Sequence, residues 1–188
     1  MKFILPEGLV ILGPQQHAWW PIDQMKLMMA IQTNDFSITE ETPFGIDSVR
    51  DKISDLIKQT VEECQQYNPK FSISNNVILS GFSQGAMVSL DISLHIKEKP
   101  LAIALLSGGI ICKNLWENNI SEGRIKGIKV FQSHGVVDPI LPIVIGRSVN
   151  TLLKGSGADL TYHEFNGGHT IPFEIVIELN KFLLGLMK

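Results

Sequence analysis

Five residues, Gly81-Phe82-Ser83-Gln84-Gly85, decide the fold of this chain. An apolar run at 76–80 precedes them, and a helix-like stretch at 86–94 follows. That order predicts a strand, a sharp turn and a helix, with Ser83 at the apex and a glycine on each side where a bulky side chain would not fit. Such a turn raises the hydroxyl above the sheet and points the free N–H groups of a helix start towards it. The pattern predicts a nucleophilic Ser83; the alternative is a glycine-rich turn with an exposed serine.

A serine nucleophile needs a general base, and the base needs an acid that orients it. The apolar strand predicted at 129–134 ends before Asp138, which precedes a proline and so belongs to a turn. A second alternating strand at 160–165 runs into a glycine-rich loop that carries His169. Chemistry in parallel α/β sheets gathers at the carboxyl ends of the strands, where both residues are predicted. The alternatives are a simple turn residue at Asp138 and a solvated loop residue at His169.

The other four histidines are weaker candidates for the base. His134 is predicted at a strand end, where it lines the pocket, and His163 lies mid-strand. His95 belongs to the helix after Ser83, and His17 precedes a tryptophan pair. No two histidines have the i, i+4 spacing of a helical metal pair, and no carboxylate completes a ligand set, so we predict no metal site.

The chain as a whole has the composition of one globular domain. It has 188 residues, 44% of them hydrophobic, and strand-like and helix-like segments alternate along it. This pattern predicts an α/β fold with a mostly parallel sheet flanked by helices, in a single domain over residues 1–188. Residues 35–48 are the least regular and predict a surface loop over the site. Asp47 is predicted to cap a helix that ends near Tyr67.

Several motifs together resemble the phospholipase/carboxylesterase family of α/β-hydrolases, which includes acyl-protein thioesterases and small bacterial carboxylesterases. The matching motifs, in chain order, are Phe3–Pro6, Ala18–Asp23, Gly81–Ala86, Ser133–Ile140 and Gly168–Ile171. The resemblance begins near residue 3 and runs to the C-terminus.

This resemblance implies an α/β-hydrolase fold and a set of catalytic roles. Ser83 would be the nucleophile, Asp138 the acid, His169 the general base, and the backbone N–H of Gln84 one oxyanion donor. It implies hydrolysis of a small-molecule ester or thioester, an acylated protein or a lysophospholipid among them, without a cofactor.

The chain departs from the family at its N-terminus. Family members carry an earlier strand and a His-Gly-x-Gly loop that supplies the second oxyanion donor, and this sequence contains no such motif. Losing one donor typically costs about 10²–10³ in turnover. We therefore expect a domain that lacks the N-terminal part of the family's fold. Either the true gene product is longer at its N-terminus than this sequence, or the protein itself is a truncated and impaired form. The second hypothesis is therefore an impaired fragment or a non-catalytic binding protein.

The departure also has a structural consequence. In the family the missing strand lies between the strand predicted at residues 2–5 and the nucleophile strand predicted at 76–81. We therefore expect residues 2–5 to be unpaired or paired on one side only, and the nucleophile strand to have an exposed edge that promotes association with another chain.

Three aromatic residues could line the substrate pocket. Trp19, Trp20 and Phe44 lie in segments predicted near the mouth of the site, and aromatic walls suit acyl chains or aromatic esters. The alternative is that the two tryptophans cover the core beneath a long loop.

Charge and cysteine content exclude several other classes of protein. The net charge is −3 and the basic residues are scattered, which argues against a nucleic-acid partner. Cys64 and Cys112 lie in no recognisable motif, so we expect reduced thiols in a cytoplasmic protein. No signal peptide or membrane-spanning run is recognisable.

Overall fold

The computed structural model describes residues 2–187, and both terminal residues, including the start at Met1, lie outside this range. The structure has six strands and seven α-helices within that range, with a short 3-10 helix at Ser37–Glu40. The strands are β1 Val10–Gly13, β2 Gln16–Ala18, β3 Ile78–Phe82, β4 Ala102–Leu106, β5 Lys129–Gly135 and β6 Asp159–Phe165. The helices are α1 Gln24–Thr33, α2 Ile46–Gln65, α3 Ile73–Asn76, α4 Gln84–His95, α5 Lys113–Ser121, α6 Ile143–Lys154 and α7 Phe173–Leu186.

The main sheet has four parallel strands in the order β3-β4-β5-β6. A helix connects each strand to the next, because parallel neighbours require a crossover. All five residues of β4 are buried, as expected for a strand that is covered on both faces. The predicted α/β class with a parallel sheet and flanking helices is confirmed. The separate β1-β2 hairpin is antiparallel, and the sequence did not indicate it.

The two faces of the sheet carry separate apolar clusters. The larger one packs β4 side chains such as Ile103 against α2, α4 and α5, and it includes Trp20 and Trp116. On the opposite face Phe131 and Ile175 belong to a smaller cluster, which α7 covers. Alternate residues of β4 point to the two clusters, so the period of two along the strand fixes which helices it contacts.

Two local predictions differ from the structure in detail. The long helix begins at Ile46 with Gly45 as its N-cap, so Asp47 belongs to the first turn and is not the cap. Asp47 is nevertheless favourably placed, because a carboxylate in a first turn interacts well with the helix dipole. Residues 35–45 form a loop as predicted, except for the 3-10 helix within it.

Residues 2–7 are exposed and form no strand. Within the described part of the chain, β3 therefore has a ladder partner only on the β4 side. A groove of about 770 Å³ lies along its other edge. Edge-strand residues such as Leu79 and the N-terminal Ile4 line it, and α2 and α7 contribute apolar side chains. The strand predicted at residues 2–5 is therefore wrong, because the first strand begins at Val10. The expectation that residues 2–5 are unpaired or paired on one side only agrees with this arrangement.

A buried ion pair ties α4 to the neighbouring helices. The Asp91 carboxylate is 1% exposed and accepts two hydrogen bonds from Arg50, at 2.7 and 2.9 Å, and one from Trp116 Nε1 at 2.8 Å. The carboxylate raises the pKa of the Arg50 guanidinium above its ordinary value, so this side chain is always charged. Asp91 lies on α4, which begins directly after Ser83. The Arg50–Asp91 pair therefore fixes the position of the helix that follows the elbow.

We expect Asp91→Ala to lower the free energy of unfolding by about 3 kcal/mol, because it leaves the Arg50 charge without its buried partner. Asp47→Ala is the matched control, since Asp47 contacts the same guanidinium at 2.8 Å from an 85% exposed position. Exposed ion pairs contribute little, so this variant should unfold close to wild type. Urea titrations of the three proteins measure the difference, and equal midpoints for both variants would contradict the assignment.

The free edge of β3 predicts concentration-dependent self-association of the 188-residue chain. Ser80 is exposed in the middle of this strand, and a lysine there should oppose pairing with another edge. Ser80→Lys should therefore lower the apparent mass, measured by size-exclusion chromatography with light scattering. Thr151→Lys, at an exposed position on α6, controls for added charge and should behave as wild type. A wild-type chain that stays monomeric at high concentration would refute the prediction.

Candidate active site

The turn after β3 has the strained backbone of a nucleophile elbow. Ser83 has φ 55° and ψ −120°, a combination that non-glycine residues rarely adopt. Its N–H donates to the Leu106 carbonyl at 2.9 Å, which joins the turn to the end of β4. Backbone strain of this kind persists only where the surrounding structure holds it, and it is frequent at active sites.

The elbow requires glycine at position 81 because β3 and α4 approach very closely. A Cβ atom on Gly81 would lie 2.1 Å from the carbonyl carbon of Gly85, a distance that no side chain could accommodate. A Cβ atom on Gly85 would meet nothing within 4 Å, so the expectation that a side chain does not fit on either flank is correct only for Gly81. The backbone of Gly85 contacts Gly81 across the turn, and this contact explains the first glycine of the motif.

Gln84 is positioned to act on the site through its backbone and its side chain. It opens α4, so its N–H has no acceptor within the helix and is free to bind an anionic oxygen. Its side chain accepts a hydrogen bond from Trp19 N–H at 3.0 Å and donates one to the Trp20 carbonyl at 3.0 Å. The two bonds fix the tryptophan segment beside the elbow, a role that the sequence motif did not reveal.

Asp138 and His169 meet at the carboxyl ends of β5 and β6. His169 Nδ1 donates to Asp138 Oδ2 at 2.7 Å, and the carboxylate is fully buried. The other oxygen, Oδ1, accepts from the backbone N–H groups of Ile140 and Leu141 at 2.8 and 2.9 Å. The carboxylate is thus hydrogen-bonded at both oxygens, and it sets the orientation of the imidazole.

His169 lies next to the elbow. Its ring packs against Phe82, the residue before Ser83, with the ring centroids 4.6 Å apart. Its side chain is 15% exposed, and Nε2 is the nitrogen left free by the bond to Asp138. Within the described residues no hydrogen bond joins His169 to Ser83 Oγ, and the bond that His169 makes is the one to Asp138.

The other histidines have structural contacts. His134 is completely buried, so it belongs to the interior and not to a pocket wall. His163 stacks on Phe131 with centroids 5.2 Å apart. His95 Nδ1 lies 2.7 Å from the Asp91 carbonyl, and His17 Nδ1 lies 3.2 Å from a backbone carbonyl of the first loop.

The three aromatic pocket candidates lie in different environments. Trp20 is 6% exposed and belongs to the larger core cluster, which favours the alternative that it covers the core. Trp19 is half-buried and lines the groove beside β3. Phe44 is 88% exposed on its loop. The structure does not bring the three rings together.

The described residues contain no group of three or more His, Cys, Asp or Glu side chains that could hold a metal ion. Over the same part of the chain, no helix is long and apolar enough to cross a membrane. Both cysteines are free, and burial raises the pKa of the Cys112 thiol.

A family comparison agrees with this geometry. Residues 2–186 match the model of the Phospholipase/Carboxylesterase family. The chain belongs to this family. It is similar to acyl-protein thioesterase 1 of Gibberella zeae, with 27% identity over 97% of this chain and 76% of that protein. The protein of the same name from Kluyveromyces lactis is 29% identical over 77% of this chain and 61% of its own length.

Solved structures support the same fold. The crystal structure of esterase PE8 superposes with a TM-score of 0.59 at 25% identity, over 73% of this chain and 61% of that one. The chain thus spans only about three fifths of the length of some relatives that it matches. The predicted family assignment is confirmed.

Burial of His134 predicts a dependence of stability on pH. Desolvation lowers the pKa of His134 below its ordinary value of 6.5, so the folded protein holds this ring neutral. Below about pH 6.5 the unfolded chain therefore binds more protons at this site than the folded one, and stability falls as the pH falls. His134→Gln should weaken this dependence between pH 7.5 and 5. Urea unfolding measures it, with the exposed His17→Gln as control. An unchanged slope in His134→Gln would contradict the prediction.

Proposed function

We propose that this protein is a serine hydrolase that cleaves carboxylic esters or thioesters through an acyl-enzyme intermediate. The observation that carries the proposal is the Asp138–His169 hydrogen bond of 2.7 Å beside the strained elbow at Ser83. A buried carboxylate bound to one imidazole nitrogen, with the other nitrogen free near an elbow serine, is the arrangement of a catalytic triad. Kinship with proteins named acyl-protein thioesterase and esterase supports this reaction class.

The roles follow from the geometry. Ser83 Oγ attacks the carbonyl carbon of the substrate while His169 Nε2 takes the hydroxyl proton. Asp138 keeps the other imidazole proton on Nδ1 and stabilises the ring when it is charged. His169 then gives its proton to the leaving alcohol or thiol. A water molecule, deprotonated by the same ring, attacks the acyl-enzyme and releases the carboxylic acid.

The Gln84 N–H is the oxyanion donor that the elbow supplies. It stabilises the negative charge that develops on the carbonyl oxygen in the tetrahedral intermediate. The alternative is a protein that binds an ester or acylates at Ser83 but turns over slowly, as expected if the elbow donor acts without a second one.

The substrate class follows from the site and from kinship. We infer a carboxylic ester or thioester, with acylated proteins and lysophospholipids as members of the class, and a cytoplasmic location. Trp19, Trp20 and Phe44 remain proposed substrate contacts, although Trp20 is buried. The reaction described here needs no cofactor, because a serine, a histidine and an aspartate supply every proton transfer.

A fluorophosphonate probe tests the nucleophile. It should label the 188-residue protein at Ser83, identified by peptide mass spectrometry, and Ser83→Ala should abolish labelling. Ser80→Ala, three residues earlier and exposed in β3, is the matched control and should still be labelled. For the hydrolysis of p-nitrophenyl esters, Ser83→Ala should lower kcat by up to about 10⁶-fold. The rate that remains is the one that substrate binding and the oxyanion donor supply without a nucleophile.

The outcomes separate the two functions. Labelling with multiple turnovers supports the hydrolase. Labelling at Ser83 with a burst of one equivalent and almost no further turnover supports the impaired form, because a missing donor costs about 10²–10³ in rate. Folded protein that is neither labelled nor active refutes the assignment of Ser83 as a nucleophile.

A further inference from the structure

We propose that His134 is a positioning residue for the catalytic acid, which it holds in place through the Leu141 peptide. The inference rests on the proposed function, because it assigns Asp138 the role of orienting His169. His134 contacts neither the nucleophile nor the free imidazole nitrogen of His169. Its effect on the reaction is therefore indirect.

The first step of the argument is the loop that carries Asp138. This loop folds back on itself, because Asp138 Oδ1 accepts hydrogen bonds from the N–H groups of Ile140 and Leu141. The two bonds leave Oδ2 for His169 Nδ1. The direction of the carboxylate therefore depends on where the Leu141 peptide is held.

His134 holds the same residue, Leu141, at its carbonyl group. The Leu141 carbonyl accepts a hydrogen bond from His134 Nε2 at 2.7 Å, so the ring carries its proton on Nε2. The Leu141 residue is thus fixed at its N–H by Asp138 and at its C=O by His134. A chain of three hydrogen bonds connects the interior of the sheet to the imidazole of His169.

The His134 ring itself has little freedom to move. Its side chain is fully buried at the end of β5, and it packs against Gly146 on α6. A Cβ atom on Gly146 would lie 2.4 Å from His134 Cγ, so the glycine makes room for the ring. A rigid strand and a rigid helix therefore set the position of the donor nitrogen.

The neutral state of His134 also preserves the hydrogen bond between Asp138 and His169. His134 Nε2 lies 3.6 Å from Asp138 Oδ2, the oxygen that binds His169. A charged ring at this distance would compete with His169 for the negative charge of the carboxylate. Burial opposes that charge, and the single N–H of the neutral ring is already directed to the Leu141 carbonyl.

The test compares two substitutions at one position. His134→Gln keeps an N–H donor at a similar distance from the backbone, whereas His134→Leu has similar volume and no donor. We expect His134→Leu to lower kcat for ester hydrolysis by about 10²-fold, because a shift of about 1 Å in a catalytic group has an effect of this size. KM should change little, since His134 is not at the substrate surface. His134→Gln should recover most of the loss.

A spectroscopic readout separates positioning from general destabilisation. The proton between His169 Nδ1 and Asp138 Oδ2 should give a far-downfield resonance in the proton NMR spectrum of the wild-type protein. That resonance should be retained in His134→Gln and shifted or lost in His134→Leu. Leu153→Ala is the control for stability, because Leu153 is buried on α6 and contacts the core but not the Asp138 loop. It should keep both the resonance and kcat.

A second variant covers the case in which His134→Leu does not fold. Gly146→Ala leaves every donor in place but pushes the His134 ring, and it should reduce kcat and shift the same resonance. An unchanged resonance and kcat in folded His134→Leu or Gly146→Ala would overturn the proposal. If the wild-type protein is neither labelled nor active, the proposed function fails, and the resonance alone then decides whether His134 positions Asp138.

Discussion

The contact between Gly81 and Gly85 is the constraint on which the rest of the site depends. Because Gly81 has no side chain, β3 and the start of α4 can approach closely enough for the chain to reverse and to hold Ser83 in its strained conformation. The same contact places the first N–H of α4, which has no acceptor within the helix, beside Ser83. The Arg50–Asp91 pair then fixes the helix farther along its length. A short steric contact and a buried ion pair together determine where Ser83 and the Gln84 N–H lie.

The sequence predicted the elements that carry Ser83, Asp138 and His169, because the signals for those elements are local. A strand followed by G-x-S-x-G and a helix fixes Ser83, and strand ends followed by turn residues indicate Asp138 and His169. The parallel sheet then brings distant segments together, since the carboxyl ends of its strands lie at one edge. The N-cap of the long helix was predicted two residues too late, at Asp47 and not at Gly45, because an aspartate also suits a helix start.

Contacts between elements could not be predicted from the sequence. The buried position of His134 depends on Gly146, which is 12 residues away on another element. The side chain of Gln84 bonds to Trp19 and Trp20, which precede it by 65 and 64 positions in the sequence. The groove beside β3 is visible only once the positions of α2, α7 and the N-terminal segment are known. Spacing along a chain carries no information about such distances, because they are set by packing.

The order of the main sheet has a consequence for how the protein assembles. The spatial order β3-β4-β5-β6 is also the order of synthesis, so each new strand pairs with the strand made just before it. Each connection between neighbouring strands contains a single helix, so every loop that closes during folding is short. The entropic cost of each closure is therefore small. Ser83 follows the first strand of this series and His169 follows the last, so the two residues come together only when the final strand has docked. Any activity that needs both residues would therefore arise only at the end of folding.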